Sequence, residues 1–187
     1  MSASNNGETD IVKVEIQIRQ AASEDAPHLR DLRLEALAGH PQAFSSDYES
    51  ASKEAPTIWG ERLERYVKSD DETLQVAVAG NDLVGSTGIF RDPRPKIRHA
   101  ATIWGVYVQP AWRGRGIGDR LVNACLDWAR EHEIIFVRLA VITTNISAIR
   151  TYQRCGFSVY GIEPMSLLWE GRYYDELLMG CEIKGGQ

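Results

Sequence analysis

Apolar and polar positions alternate at Val14, Ile16 and Ile18, a period of two that predicts a first strand. Ser23 follows as a candidate cap for a helix that starts near Asp25-Ala-Pro27, buries Leu29, Leu32 and Ala36, and stops at Gly39. After Thr57 a second 3.6-residue period puts Trp59, Leu63 and Tyr66 on one face. Leu74, Val76 and Val78, the turn Gly80-Asn81-Asp82 and the run Leu83 to Phe90 then read as a hairpin. Arg91 to Lys96, with two prolines, is a loop, and His99 to Gln109 is a long strand. A helix follows with Ile117, Leu121, Ala124, Cys125 and Trp128 as its inner stripe. Ile134 to Thr143 is a buried strand, and Asn145 to Cys155 is a short helix ended by Gly156. Phe157 to Trp169 and Tyr173 to Ile183 close the chain as a hairpin about Glu170-Gly171. The order is β-α-α-β-β-β-α-β-α-β-β, with no internal repeat or low-complexity block.

The junction between the long strand and its helix carries the strongest chemical signal. It reads Val106-Tyr-Val-Gln-Pro-Ala-Trp-Arg-Gly-Arg-Gly-Ile-Gly118. Gly114, Gly116 and Gly118 let backbone approach a ligand without Cβ interference. The first N–H groups of a helix lack intrahelical partners, and the macrodipole favours an anion beside them. With Arg113 and Arg115 adding positive charge, the segment from Arg113 through Ile117 to Asp119 reads as a pyrophosphate cradle. The dinucleotide fingerprint fits poorly: the glycines read G-x-G-x-G, Asp119 stands where a third small residue belongs, and Arg138 lies near the acidic slot. No Gly-Lys-Ser/Thr follows, so the P-loop fails too. A glycine-rich turn that merely joins strand to helix is the plainer alternative.

Arg113-x-x-Gly116-x-Gly118, entering a helix after Val-x-Val-x-Pro, resembles the acyl-CoA pyrophosphate motif of the GNAT superfamily of N-acetyltransferases. Asn145-x-x-Ala148-x-x-x-Tyr152-x-x-x-Gly156-Phe157 resembles that superfamily's second signature, and Leu37 to Tyr48 resembles the acceptor-side helix and loop of small bacterial members. The resemblance spans roughly residues 16 to 183. It implies a mixed, twisted, mostly antiparallel sheet of about seven strands with helices on both faces. It also implies an acetyl-CoA-dependent N-acetyltransferase acting by direct transfer in a ternary complex. By resemblance, Val106, Tyr107 and Val108 supply main chain to the pantetheine arm and acetyl group. An N–H there, with Val106 the first candidate, polarises the thioester oxygen. Asn145 contacts the arm, although Asn is equally a good helix cap. Tyr152, which could also be a packing residue, is the candidate general acid for the leaving thiolate.

Composition restricts the setting. The 187 residues suit one domain, read as 13–184 behind a disordered Ser/Asn/Gly/Glu-rich tail over 1–12. That tail has neither the basic nor the apolar region of a signal peptide, and no apolar stretch reaches membrane-spanning length. The expected location is therefore cytoplasmic. Cys125, Cys155 and Cys181 are odd in number and widely spaced, which argues against a disulfide framework or zinc site. Cys155 reads as a buried packing residue. His28, His40, His99 and His132 show no metal spacing. A net charge of −5 makes nucleic acid an unsuitable partner and suits a cationic amine.

The acceptor side is less defined. A small primary amine is the first acceptor class and a protein N-terminus or lysine the second. A non-catalytic acyl-CoA-binding module and a different kind of nucleotide-binding domain are the competing classes. The long strand reads Thr102-Ile-Trp-Gly-Val-Tyr107 and offers no carboxylate as general base, so a water chain or Glu35 stays open, Glu35 reading as a solvated helix residue. Phe44, Tyr48, Trp59, Tyr173 and Tyr174 form a candidate aromatic set that could equally be core, and Asp175 or Glu176 could pair with an ammonium. Trp104 and Trp112 flank the cradle. A homodimer through sheet edges or the last strands is neither required nor forbidden.

Overall fold

The structure, a computed structural model, describes residues 14–183; the tail expected over 1–12 lies outside them. Seven strands form one sheet: β1 (Ile16–Gln20), β2 (Glu72–Ala79), β3 (Asp82–Arg91), β4 (Ala100–Val108), β5 (Phe136–Ile142), β6 (Ser158–Trp169) and β7 (Arg172–Glu182). Their order is β1-β2-β3-β4-β5-β7-β6, and every neighbouring pair is antiparallel except β4 and β5. The helices are α1 (Ala26–Gly39), α2 (Tyr48–Lys53), α3 (Pro56–Lys68), α4 (Ile117–Glu131) and α5 (Ile146–Arg154).

Strand periodicity assigns the helices to opposite faces. Leu74 and Val76 of β2 pack with Leu29 of α1 and with Trp59 and Leu63 of α3, whereas Ala77 and Ala79 pack with Ile117 and Leu121 of α4. β2 is thus apolar on both sides. The buried set on α4 is wider than a single stripe, since Val122, Leu126 and Ala129 are also covered. They join Tyr152 and Phe157 in the largest cluster, against β4, β5 and β7.

Two local expectations are corrected. Ser23 does not cap α1: it opens a short 3-10 turn, and Asp25 occupies the cap position. The Asp25 carboxylate instead receives two bonds from Arg19, at 2.6 and 2.9 Å, and one from the Ala22 amide at 2.8 Å. The segment after α1 also carries α2, whose N-cap Asp47 accepts a bond from the Ser50 amide at 2.8 Å. Its sequence, Tyr-Glu-Ser-Ala-Ser-Lys, has no apolar stripe to announce it.

Candidate active site

The one parallel contact in the sheet opens the site. β4 and β5 pair only through Ala100, Ala101 and Thr102 with Phe136, Val137 and Arg138. Arg138 Nε bonds Thr102 Oγ1 at 3.1 Å where the two strands part. Beyond that point Ile103 to Val108 has β3 alone as a neighbour, and Leu139 to Ile142 has β7 alone. Main chain on the facing edges is therefore free of sheet partners, an arrangement that backbone tolerates only beside water or a ligand. A cleft of about 670 Å³ fills the gap.

A bulge sets the direction of the β4 side chains. Its register with β3 shifts between Ser86 and Gly88, opposite Gly105, which has φ of +65°. Ile103 packs on the α4 side and Trp104 on the α1/α3 side. After the extra residue, Val106 returns to the α4 side and Tyr107 faces Leu32 and Ala36 of α1. An unbroken strand would put Tyr107 with α4. Thr87 Oγ1 bonds the Trp104 carbonyl at 3.2 Å across the bulge. An isolated glycine within a strand pattern is the sequence sign of such a bulge, and Gly105 is the functional position that periodicity alone missed.

The cradle lies at the wide end of the cleft. Gly114 and Gly116 take φ of +76° and +71°, and Gly116 is the N-cap of α4. The first main-chain bond of that helix runs from Arg120 N to Gly116 O at 3.1 Å. The amides of Ile117, Gly118 and Asp119 precede it and have no partner inside the helix. Their positive end of the dipole faces the opening between the strands, so the residues present fit a diphosphate. Arg113 folds back, with Nε on the Val108 carbonyl at 2.9 Å and Nη2 2.9 Å from His40 Nε2. Burial and the neighbouring Arg113 both hold the His40 imidazole below its ordinary pKa. Arg115 stacks over Trp112 at 4.6 Å and lies off the cleft wall.

The other expected residues converge on the same cleft: Val106, Tyr107, Val108, Arg113, Gly114, Gly116, Ile117, Gly118, Asp119, Asn145 and Tyr152 all line it. The Asp119 carboxylate is engaged away from the cradle amides, receiving Arg154 Nε and Nη2 at 2.7 Å each. That pair ties α4 to α5 and holds the Asp119 carboxyl below its usual range. Asn145 Oδ1 accepts the Ala148 amide at 3.2 Å, so Asn145 caps α5 at the cleft wall. Tyr152 projects from α5 with its ring 6.2 Å from Phe157. It is buried, and burial pushes its hydroxyl above the ordinary tyrosine value, with nearby Cys155 adding to the rise. Cys155 is a buried packing residue whose thiol is pushed up to about 11, chiefly by burial.

Glu35 is exposed on α1, as expected, and also holds two side-chain partners. Tyr107 Oη donates to Glu35 Oε1 at 2.9 Å and Gln109 Nε2 to Oε2 at 2.7 Å. Burial together with Glu35 drives the Tyr107 hydroxyl up to about 12. Glu35 lines neither cavity of the site and reaches the cleft only through Tyr107.

A second cavity, about 460 Å³, lies under α1, α2 and α3. Trp104 and Gly105 line both spaces, so the two cavities adjoin at the bulge. Of the expected acceptor aromatics, Trp59 lines this second cavity and Phe44 the cleft, whereas Tyr48, Tyr173 and Tyr174 line neither. Asp175 and Glu176 are also elsewhere. Asp175 Oδ1 accepts the Met165 amide at 2.8 Å and Glu176 Oε2 accepts Ser166 Oγ at 2.6 Å, because the long β6–β7 hairpin uses both carboxylates internally.

The Trp104 indole lies against Gly88, where an added methyl would collide with the ring. Gly88→Ala is expected to displace the indole at the boundary of the two cavities, raise the acceptor KM about tenfold and lower stability by about 1–3 kcal/mol through overpacking. Steady-state kinetics and thermal unfolding check this. An unchanged acceptor KM would remove Trp104 from the acceptor path.

Comparison with known proteins agrees with this geometry. Residues 38–157 match the model of the acetyltransferase (GNAT) family. The L-amino acid N-acetyltransferase AaaT of Escherichia coli (strain K12) is 28% identical over 171 residues, covering 88% of this chain and 96% of that protein. The N-alpha-acetyltransferase RimI of Mycobacterium tuberculosis is 40% identical over 87 residues, 46% of this chain and 52% of its own length. Among solved structures, a GNAT-family acetyltransferase from Streptococcus pneumoniae superposes with a TM-score of 0.82 at 24% identity, over 91% of this chain and 100% of that one. The putative acetyltransferase yncA from Salmonella typhimurium, solved with its cofactor acetyl-CoA, gives 0.80 at 20% identity, over 92% and 96%. The splayed strands, the cradle glycines and the match over 38–157 lead to one conclusion: this chain belongs to the acetyltransferase (GNAT) family and is an acetyl-CoA-dependent N-acetyltransferase.

Proposed function

We propose that the chain acetylates the primary amine of a small molecule by direct transfer, with both substrates bound together. The observation that carries this reading is the shared boundary at the bulge: Trp104 and Gly105 line both the cofactor cleft and a second, half-open cavity of small-molecule size, beside Val106, and that boundary serves as the doorway for the acceptor. Acetyl-CoA supplies the thioester whose acetyl group is transferred. The amides of Ile117, Gly118 and Asp119 bind its diphosphate, with Arg113 and Arg115 swinging in to add charge. The free edge of Val106 to Val108, with Asn145, orients the pantetheine arm. The Val106 N–H polarises the thioester oxygen. Tyr152 Oη holds its proton at neutral pH and delivers it to the sulfur as the C–S bond breaks, and the proton that the amine nitrogen loses as its bond to the acetyl carbon forms returns through water to the Tyr152 oxygen.

Thiol release from acetyl-CoA over small amines and over peptides with free N-termini tests this reading. Small amines are expected to turn over with intersecting double-reciprocal plots. Parallel plots would contradict direct transfer, and turnover confined to peptides would assign the acceptor to the second class.

Two wider features complete the proposal. The chain functions in the cytoplasm, which the free thiols of Cys125, Cys155 and Cys181 and a dependence on acetyl-CoA support. It forms a homodimer through β6, an edge strand that exposes Val159, Tyr160, Ile162, Met165 and Leu168. Light scattering is expected to give a dimer mass that Ile162→Asp halves; a monomeric parent protein would contradict this.

A further inference from the structure

Within the second cavity, one side chain breaks an otherwise apolar stripe of α1. Leu29, Arg33 and Leu37 stand at intervals of four and all line the cavity. An arginine on the inner stripe of a helix must either find a counter-ion or serve a ligand that brings one. Arg33 has neither an ion pair nor a hydrogen bond to any side chain or carbonyl among the described residues; its contact is the face of Phe44, 4.7 Å from the guanidinium carbon. The other arginine of the cavity differs. Arg62 meets Glu54 through both terminal nitrogens, at 2.7 and 2.6 Å, so Glu54 is neutralised and unavailable to Arg33. Asp47, the remaining lining carboxylate, caps α2. Arg33 is thus a half-buried cation, without an ion pair among the described residues, in a cavity whose acids are already engaged.

Its position relates to the chemistry. A Cβ built on Gly105 would lie 3.8 Å from Arg33 Nη1. Gly105 is the bulge residue shared by both spaces and precedes Val106, so the guanidinium stands at the doorway, a few atoms from where an acceptor amine must meet the acetyl group. That distance is an ordinary contact, so it is the φ of +65°, rather than the space, that favours glycine there.

We propose that Arg33 is the anchor for a carboxylate carried by the acceptor, so that the substrate class is a free amino acid, with amine and carboxylate only a few bonds apart, rather than a simple alkylamine or a peptide N-terminus. The inference rests on the acetyltransferase reading and deepens it. A guanidinium offers paired donors in the planar geometry a carboxylate needs, and such bonds are strongest where water is excluded. A carboxylate on Arg33 directs the nearby amine toward Val106. The stem of the acceptor would lie along Leu29, Leu63 and Trp59, which supply apolar wall. A peptide N-terminus has an amide in place of the carboxylate and leaves Arg33 without a charged partner, losing the charge-assisted bond.

Matched acceptors test this: L-leucine against 3-methylbutylamine and L-leucinamide, and L-valine against 2-methylpropylamine, with thiol release from acetyl-CoA as the first readout. The free amino acids are expected to exceed their amines and the amide by about tenfold to a hundredfold in kcat/KM, the range of a charge-assisted bond of about 1.5–3 kcal/mol. Arg33→Gln should remove that preference through the acceptor KM while leaving the acetyl-CoA KM unchanged. Arg33→Lys should restore part of it, a point charge replacing a fork. Preference for the amines or the amide, with thiol still released, overturns the carboxylate anchor and leaves the acetyltransferase reading intact. Should no acceptor turn over, calorimetry of L-leucine against the CoA-saturated protein decides. Binding that Arg33→Gln abolishes supports the anchor even as the catalytic reading fails, and no binding by the parent protein overturns it.

Discussion

Tyr152→Phe is expected to lower kcat by about a hundredfold to ten-thousandfold, the range for a positioned general acid, while the dissociation constant for acetyl-CoA changes less than about twofold. The substitution removes one oxygen and keeps the ring that packs 6.2 Å from Phe157. Fold and cleft should therefore survive, and an unaltered melting temperature would show that they do. Sign and pH follow from burial. The neutral hydroxyl is favoured in the folded protein, so Tyr152 stays protonated through and beyond the ordinary tyrosine value of about 10. Turnover should show no falling alkaline limb from this group below that pH. A folded-state value raised in this way stabilises the protein fully below about pH 10, and the contribution fades as pH rises from there through the folded value. Tyr107, pushed up to about 12, acts in the same direction. Thermal unfolding between pH 8 and 12 should show stability falling at the alkaline end. Full turnover in the Phe variant would remove Tyr152 from the mechanism.

Gly116→Val is expected to weaken CoA binding at least tenfold while sparing kcat at saturating acetyl-CoA. Gly116 caps α4 with φ of +71°, and an added Cβ there would have no atom within 4 Å, so the expected effect is conformational. A residue with a Cβ in that region costs roughly 1–2 kcal/mol. The simplest relief is a shift of the first turn, which re-aims the amides of Ile117, Gly118 and Asp119. Titration calorimetry with CoA reads the loss, and circular dichroism should show α4 intact. Tight binding by the variant would mean that the diphosphate is held elsewhere.

The parts of this site that sequence revealed are those written locally. The strand–turn–helix at Val106 to Gly118 carries its own glycines and its own period change, so the cradle could be read from consecutive residues. Asn145 and Tyr152 were legible by resemblance, on a short helix that Gly156 ends. What escaped was set by distant contacts. The parting of β4 and β5 depends on where β7 inserts between β5 and β6 in the sheet, which no window of residues records. Glu35 reads as a surface glutamate until Tyr107 and Gln109, far along the chain, are seen to bind it. Arg33 has the same history: within α1 it resembles any solvated arginine, and only the cavity that α2 and α3 complete around it leaves it half-buried. Asp175 and Glu176 looked available because their partners, Met165 and Ser166, lie across a hairpin whose bulged register could not be foreseen. Gly105 is the exception, a local signal that alternation should have flagged.

The central claim is that free amides at the start of α4 and the open edge of β4 together hold coenzyme A. Titration calorimetry of the purified protein with CoA tests it most directly. Saturable heat at one site per chain, lost in Gly116→Val and retained in Tyr152→Phe, is the predicted result. No heat from a folded parent protein, or equal binding in the Gly116 variant, would contradict it.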